Sequence, residues 1–207
     1  MEISVQHLGK RYNRQWIFRG FTYHFEAGKS YALTGPNGSG KSTLLQVLAG
    51  STDKSEGQLA WLRGNKAVEP DESFAFMAMA APYLELIEEL TLAEFLEFHF
   101  SFKKLLPGWE LQRIADYVGL AGAYHKQIRH FSSGMKQRAK LAQAFFSDVP
   151  VLLLDEPTAN LDVQGAALYR QMAHELAGNR LMLIASNDEN EFAFCHHRIS
   201  ILDFKPA

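Results

Sequence analysis

Cysteine is nearly absent. Cys195 is the only one in 207 residues, so no disulfide can form within the chain. That usage fits a reducing compartment. Long hydrophobic runs are also missing, and no apolar stretch approaches the roughly 20 residues that span a bilayer. The opening MEISVQHLGKRY lacks the apolar core of a signal peptide, so a soluble chain that is not exported is expected. No charge of one sign dominates. Twenty-one Lys and Arg stand against 23 Asp and Glu, and the formal net charge of -2 gives no electrostatic case for nucleic acid or an anionic lipid surface. Repeats, low-complexity tracts and long linkers are absent too. What is there is an ordinary globular composition, 47% hydrophobic and 21% charged, at a length that suits one domain or one domain with an insert.

The front of the chain reads as short strands, EISVQHL and WIFRGFTYHFEAG, with rough alternation and a glycine turn. KSYALTG is an apolar strand that runs into a glycine loop. KSTLLQVLAG behind it reads as a helix closed by Gly50. From about Leu84 to Phe146 the pattern is mostly helical, with TLAEFLEFHF, WELQRIADYVGL and SGMKQRAKLAQAFF as its pieces. VLLLDEP and RLMLIASND are buried strands by their continuous apolar runs. Between them, LDVQGAALYRQMAHELAG places Leu161, Leu168, Met172 and Leu176 near one helical face, with Asp162 as cap. Strands separated by helices imply a mainly parallel sheet. The expected fold is therefore α/β: a mainly parallel core, a small N-terminal antiparallel β region and an inserted helical subdomain. One domain over residues 1–207 is expected, with the helical insert at about 82–146.

Gly35-Pro36-Asn37-Gly38-Ser39-Gly40-Lys41-Ser42-Thr43 carries the clearest chemistry. It fits the phosphate-loop pattern and lies between a strand and a helix, as the mechanism requires. Glycines let backbone N–H groups turn inward around a polyphosphate, and the helix N-terminus adds its positive dipole end. Lys41 is expected on the β- and γ-phosphates and Ser42 on Mg²⁺. Asn37-Gly38-Ser39 also matches a glycosylation acceptor, a match without a role in a reduced chain. Downstream, Asp155 ends an apolar strand, where a phosphate-loop enzyme holds Mg²⁺. Glu156 follows it, placed to polarise an attacking water.

These stretches together resemble the ATP-binding subunits of ABC transporters; the resemblance runs nearly end to end and implies that the α/β core is a P-loop NTPase core. GPNGSGKST is similar to the family's Walker A segment and VLLLDEP to Walker B with its catalytic glutamate. FSSGMKQR resembles the signature segment, and ANLD, Ala159 to Asp162, the D-loop. The compact length is similar to small members such as the haem-exporter type of ATP-binding subunit. The resemblance implies that Tyr12 stacks on adenine. It further implies that Ser132, Ser133 and Gly134, with Ser132 capping the following helix, bind the γ-phosphate of an ATP held on a second subunit. Two chains, alike or different, would then close head-to-tail around ATP and Mg²⁺, and hydrolysis would move a membrane-spanning permease subunit on a separate chain. The implied location is cytoplasmic, peripheral at the inner face of the membrane through that partner. The apolar stretch from Pro82 to Phe102 is the candidate docking surface.

Two positions depart from the family pattern. Where the family carries a glutamine for Mg²⁺ and the attacking water, this chain has Ala80 and Ala81 before Pro82. Where the family carries a switch histidine, it has Asn187. An Asn amide donates a hydrogen bond but is shorter and cannot carry positive charge. A contact of that kind is worth about 1.5–3 kcal/mol. Its loss in the transition state corresponds to hydrolysis slowed roughly ten- to a hundredfold. The alternative to a hydrolysing subunit is a nucleotide-gated binding module in which dimerisation matters more than turnover. Soluble ABC ATPases of DNA repair or translation fit less well, because this chain has neither the long coiled-coil inserts nor the two fused ATPase units of those proteins. A small-molecule kinase would leave the signature and D-loop segments unexplained. Cys195-His196-His197-Arg198 has no second ligand cluster and reads as packing rather than metal binding. Ser133 and Lys136 match the spacing of serine acyl-transfer enzymes, but the accompanying elements are missing.

Overall fold

The computed structural model describes residues 1–64 and 66–206; Ala207, the last residue of the single domain expected, lies outside the described residues. The chain forms two compact units. The first comprises Met1–Met77, Pro150–Asp155 and Asn179–Ala207, and the second Ala78–Val149 and Glu156–Gly178.

In the first unit, β1 (Glu2–Tyr12) and β2 (Gln15–Phe25) form an antiparallel hairpin, longer than the short strands expected from sequence. Ile3, Val5, Leu8, Phe18, Phe21 and Phe25 are all buried, the period of two being offset where the register shifts. The register shifts near His7, whose φ of 48° is a left-handed kink that bends the strand. β3 (Ser30–Thr34) leads to α1 (Lys41–Leu48), and Gly50, at φ 73°, takes the left-handed position after the helix. β4 (Glu56–Arg63) and β5 (Lys66–Val68) complete an antiparallel sheet in the order β2-β1-β4-β5.

Apart from the edge strand at His197–Ser200, which is mixed in sequence and partly exposed, the parallel strands of this unit have largely continuous apolar sequences because both faces are covered. They are β7 (Val151–Asp155), β8 (Leu181–Ala185) and β9 (His197–Ser200), which lie with β3 in the order β7-β8-β3-β9. α6 (Glu189–Phe192) joins β8 to β9. Register fixes what shares an edge. Leu33 pairs with Ala185, and Ala185 pairs with Asp155, so the C-terminal ends of β3, β8 and β7 are level. At neighbouring strand spacings the ends of β3 and β7 are about 10 Å apart. Near the other end, Ser30 N–H donates to His196 Nδ1 at 3.1 Å and the His197 ring stacks on Tyr31 at 4.9 Å, so both adjacent histidines are occupied in packing.

The second unit is mostly helical. After β6 (Met77–Ala80), residues 82–90 form turns and irregular chain at the front of the mostly helical region. The helix α2 (Leu92–Phe102) starts only at Thr91, whose hydroxyl accepts from Glu94 N–H while the Glu94 carboxylate accepts from Thr91 N–H. That reciprocal cap sets the boundary. α3 (Leu111–Tyr117) follows, and Trp109 packs edge-on against Tyr117 and Phe146. α4 (Ser133–Phe145) and α5 (Val163–Leu176) pack on one another. The buried face of α5 is Gly165, Tyr169, Met172 and Ala173. It includes Met172 from the expected stripe but centres on Tyr169, while Leu161 and Leu168 are only partly covered.

Candidate functional site

The loop between β3 and α1 is closed by backbone geometry. Gly35, Gly38 and Gly40 have φ values of 145°, 74° and 104°, which side-chain-bearing residues rarely adopt. Space is equally limiting. A Cβ on Gly35 would stand 2.8 Å from Ser39 Oγ, and one on Gly40 would stand 2.5 Å from Ile17 Cγ2. The Lys41 side chain folds back over the loop. It is 4% exposed, and its ammonium donates to the Gly35 and Pro36 carbonyls at 2.8 and 3.2 Å. Ser39 is buried as well, and its hydroxyl has no hydrogen-bond partner among the described residues. Pro36, Asn37 and Gly38 form the exposed rim; Ser42 and Thr43, half-buried, begin α1. No acidic residue stands in the first turn of α1 to compete with an anion.

Three strand ends supply the rest of the first unit's site. Asp155, 1% exposed, ends β7 level with the residue that precedes Ser186 and Asn187. Asn187 reaches back to the loop: its Nδ2 donates to Asn37 Oδ1 at 3.1 Å. A hydrogen bond across this many residues of sequence places Asn187 at the mouth of the loop between β3 and α1. Tyr12 ends β1 and is 48% exposed. Ile17, on the same hairpin, packs against Gly40, so the hairpin flanks the loop. The oxygen donors here are a serine hydroxyl and a carboxylate, suited to a hard cation. No group of three or more His, Cys, Asp and Glu that could hold a metal occurs among the described residues.

The second unit holds a separate constellation. Ser132 caps α4 by accepting from Met135 N–H at 3.3 Å, as expected, which leaves the first-turn N–H groups of Ser133 and Gly134 outside the helix's own bonding. A Cβ on Gly134 would lie 3.1 Å from the Asn160 carbonyl oxygen, so glycine permits this approach. Asp162 caps α5 through Gly165 N–H at 2.7 Å and meets Arg138 of α4 at 3.4 Å. These residues line a cavity of about 620 Å³ whose cations are Lys126 and Arg138. The chain division falls between Asp155 and Glu156. Glu156 has a φ of 40°, a left-handed backbone in a residue other than glycine, and strain of this kind gathers at functional turns. Its loop is held by Gln137 of α4, 2% exposed, which donates to the Pro157 carbonyl at 2.9 Å.

Sequence reading missed Gln137, Arg138 and a third polar anchor, Lys140. That buried lysine donates to the Pro82 and Ala81 carbonyls at 2.8 and 3.3 Å, and burial lowers its pKa. It thus grips the segment at Ala81 and Pro82, where Ala80 and Ala81 are fully buried. A lysine at i+4 from another basic residue in an exposed-looking helix carries no sequence signal of burial.

Comparison with known proteins bears on this arrangement. A family model described as ABC transporter matches residues 18–159. The cytochrome c biogenesis ATP-binding export protein CcmA of Mesorhizobium japonicum is 33% identical over 192 residues, covering 90% of this chain and 92% of that protein. The protein of the same name from Xanthomonas axonopodis pv. citri is 36% identical over 187 residues, covering 87% and 85%. A solved ATP-binding subunit of an ABC transporter superposes with a TM-score of 0.81 at 24% identity, covering 97% of this chain and 85% of that one, a likeness of fold.

Proposed function

The chain belongs to the ABC transporter family as an ATP-binding subunit, and from that premise we propose how its residues divide the work of binding and hydrolysing ATP. The observation that carries the reading is the loop at Gly35–Ser42, with its inward-turned glycines and the Lys41 ammonium lying across loop carbonyls. Those carbonyls are weak partners for a cation, and phosphate oxygens would outcompete them. Lys41 then moves onto the β- and γ-phosphates, while the loop N–H groups and the first turn of α1 take the remaining phosphate oxygens. Tyr12 stacks against adenine. Ser42 and Asp155 hold the Mg²⁺ that accompanies the nucleotide, whose chemistry is to offset charge on the β- and γ-oxygens. Glu156 accepts a proton from the water that attacks the γ-phosphorus in line with the departing ADP oxygen. Asn187 donates to the γ-phosphate side of the site but adds no positive charge, so hydrolysis is slower than a histidine would allow.

The cavity at Ser132, Ser133 and Gly134 receives the γ-phosphate bound to a second subunit, so ATP closes a dimer. The helix end, free of acidic residues in its first turn, with Lys126 and Arg138 beside it, supports that role. No described helix is long and apolar enough to cross a membrane. The permease is then a separate chain, and the turns at Pro82–Leu90, with Tyr83 and Ile87 each 43% exposed, offer it an apolar surface. Relatives named as export proteins cover most of this chain and favour outward transport.

The test is Mg²⁺-dependent ATP turnover by the purified chain, with oligomeric state followed in the same samples. Turnover that depends on Lys41 and Glu156, with ATP-dependent dimerisation, is expected. ATP bound equally well by Lys41→Ala would overturn the assignment of the phosphate loop.

A further inference from the structure

Strand periodicity places Lys10 and Tyr12 on the same face of β1. Their exposures differ sharply: Lys10 is 9% exposed and Tyr12 48%. The Lys10 ammonium lies over the Tyr12 ring, 4.6 Å from its centroid. It is not a wandering surface cation, because it also donates to the Asp53 carbonyl at 2.7 Å. That carbonyl is itself braced against the strand. Ser55 N–H donates to the Gly9 carbonyl at 2.8 Å, and Arg11 N–H donates to Ser55 Oγ at 3.0 Å. The neighbouring aromatic on this hairpin, Trp16, is placed differently. The Arg19 and Arg11 guanidinium groups lie over it at 4.5 and 5.4 Å, and Arg19 is held there by Glu56 at 2.8 Å. Of the two rings, Tyr12 is the more open to a ligand, and it alone has a buried cation behind it.

We propose that Lys10 is a positioning residue for the nucleobase: anchored on the Asp53 carbonyl, its ammonium fixes the Tyr12 ring in the orientation that stacks a purine. The proposal rests on the reading of Tyr12 as the adenine platform. An aromatic ring presents its negative face to a cation, so the contact restricts rotation of an otherwise exposed side chain. The cation also draws π density toward its own side, which lessens repulsion between the outer face and an electron-rich base. Neither Lys10 nor its anchor contacts phosphate in this account. Its effect therefore belongs to the base-dependent part of binding.

The experiment compares Mg²⁺-ATP with Mg²⁺-tripolyphosphate, which carries the phosphates without a base, by titration calorimetry. It uses the wild type, Lys10→Met, Lys10→Arg, Tyr12→Ala and the Lys10→Met/Tyr12→Ala pair, each checked for an unchanged thermal transition. Lys10→Met is expected to weaken ATP about three- to tenfold and to leave tripolyphosphate nearly unchanged. Lys10→Arg should restore most of the loss. In the Tyr12→Ala background, Lys10→Met should add nothing, since the ring it positions is gone. Equal weakening of ATP and tripolyphosphate would overturn the proposal, because the lysine would then act only as a charge toward polyanions. Additive losses in the pair would overturn it as well. If Tyr12→Ala binds ATP like the wild type, the adenine platform itself is wrong and the proposal falls with it. Lys41→Ala is measured alongside: if it alone loses binding, the phosphate-loop reading stands while this proposal is overturned.

Discussion

The N-termini of α1 and α4 both present unbonded backbone N–H groups with no acid in the first turn, yet they are built in opposite ways. At α1 the preceding residue is Gly40 in a left-handed conformation, without a side-chain cap, and the space in front is filled by the chain itself. Lys41 is buried there on loop carbonyls, and Ser39 is buried beside it. At α4 the cap is Ser132 in an extended conformation, and the helix end opens on a cavity of about 620 Å³. The first end is organised by local backbone and needs only an exchange of carbonyls for phosphate. The second opens on a cavity that nothing in its own unit fills. In the proposed reading the first binds phosphate in cis and the second waits for a second chain.

The contrast breaks most visibly under substitution at the first end and the loop that serves it. Lys41→Ala should abolish measurable ATP binding. Glu156→Gln should keep ATP binding while turnover falls about a hundredfold or more, read by phosphate release against nucleotide titration. Equal loss of binding in both variants would place Glu156 among the binding residues. Next in size, Asn187→His should raise turnover about tenfold, because an imidazolium adds the positive charge that the Asn37-paired amide lacks. Turnover insensitive to that change would mean that another group already supplies it.

Acid should separate the two units. Burial, reinforced by Lys103, holds the His99 imidazole down at about 4, against 6.5 unfolded. The unfolded chain therefore takes up the proton first. Stability of the second unit is intact above about pH 6.5 and falls as pH drops toward 4, by about 2 kcal/mol after discounting for partial exposure. Amide exchange in α2 between pH 7 and pH 5 measures it, and His99→Gln should flatten the dependence. The smallest effect is expected from Ser132→Ala, which removes a helix cap worth about 1 kcal/mol. It should lower the melting temperature slightly and weaken ATP-dependent dimerisation, seen by light scattering, without changing ATP affinity of the monomer.

Much of the first site was legible because it is local. Gly35 to Thr43 specify their own turn through backbone freedom, and the run Val151 to Leu154 announces a buried strand that must release Asp155 at its end. The caps at Ser132 and Asp162 were readable for the same reason. What stayed hidden depends on residues brought together from far apart in sequence. The antiparallel strands β4 and β5 carry too short and mixed an alternation to stand out. Gln137 on Pro157, Arg138 on Asp162 and Lys140 on Pro82 are pairings between a polar helix face and distant loops. Polar residues at helical spacing look solvated until the fold covers them. The Asn187 contact with Asn37 is hidden in the same way, since only strand register brings β8 and the loop after β3 to one edge.

The order of strands also bears on how the protein is made. β1, β2, β4 and β5 all lie within the first 68 residues and pair with one another, so this sheet can close early during synthesis. β3 is made among them, but its partners are β8 and β9, which begin at Leu181 and His197. Until those strands leave the ribosome, β3 has two bare edges and the phosphate loop has no floor. Long-range parallel pairing of this kind is slow to form. The nascent chain thus carries an apolar strand and an unfinished nucleotide pocket until β8 and β9 have been made, and nucleotide can stabilise the fold only once those strands are in place.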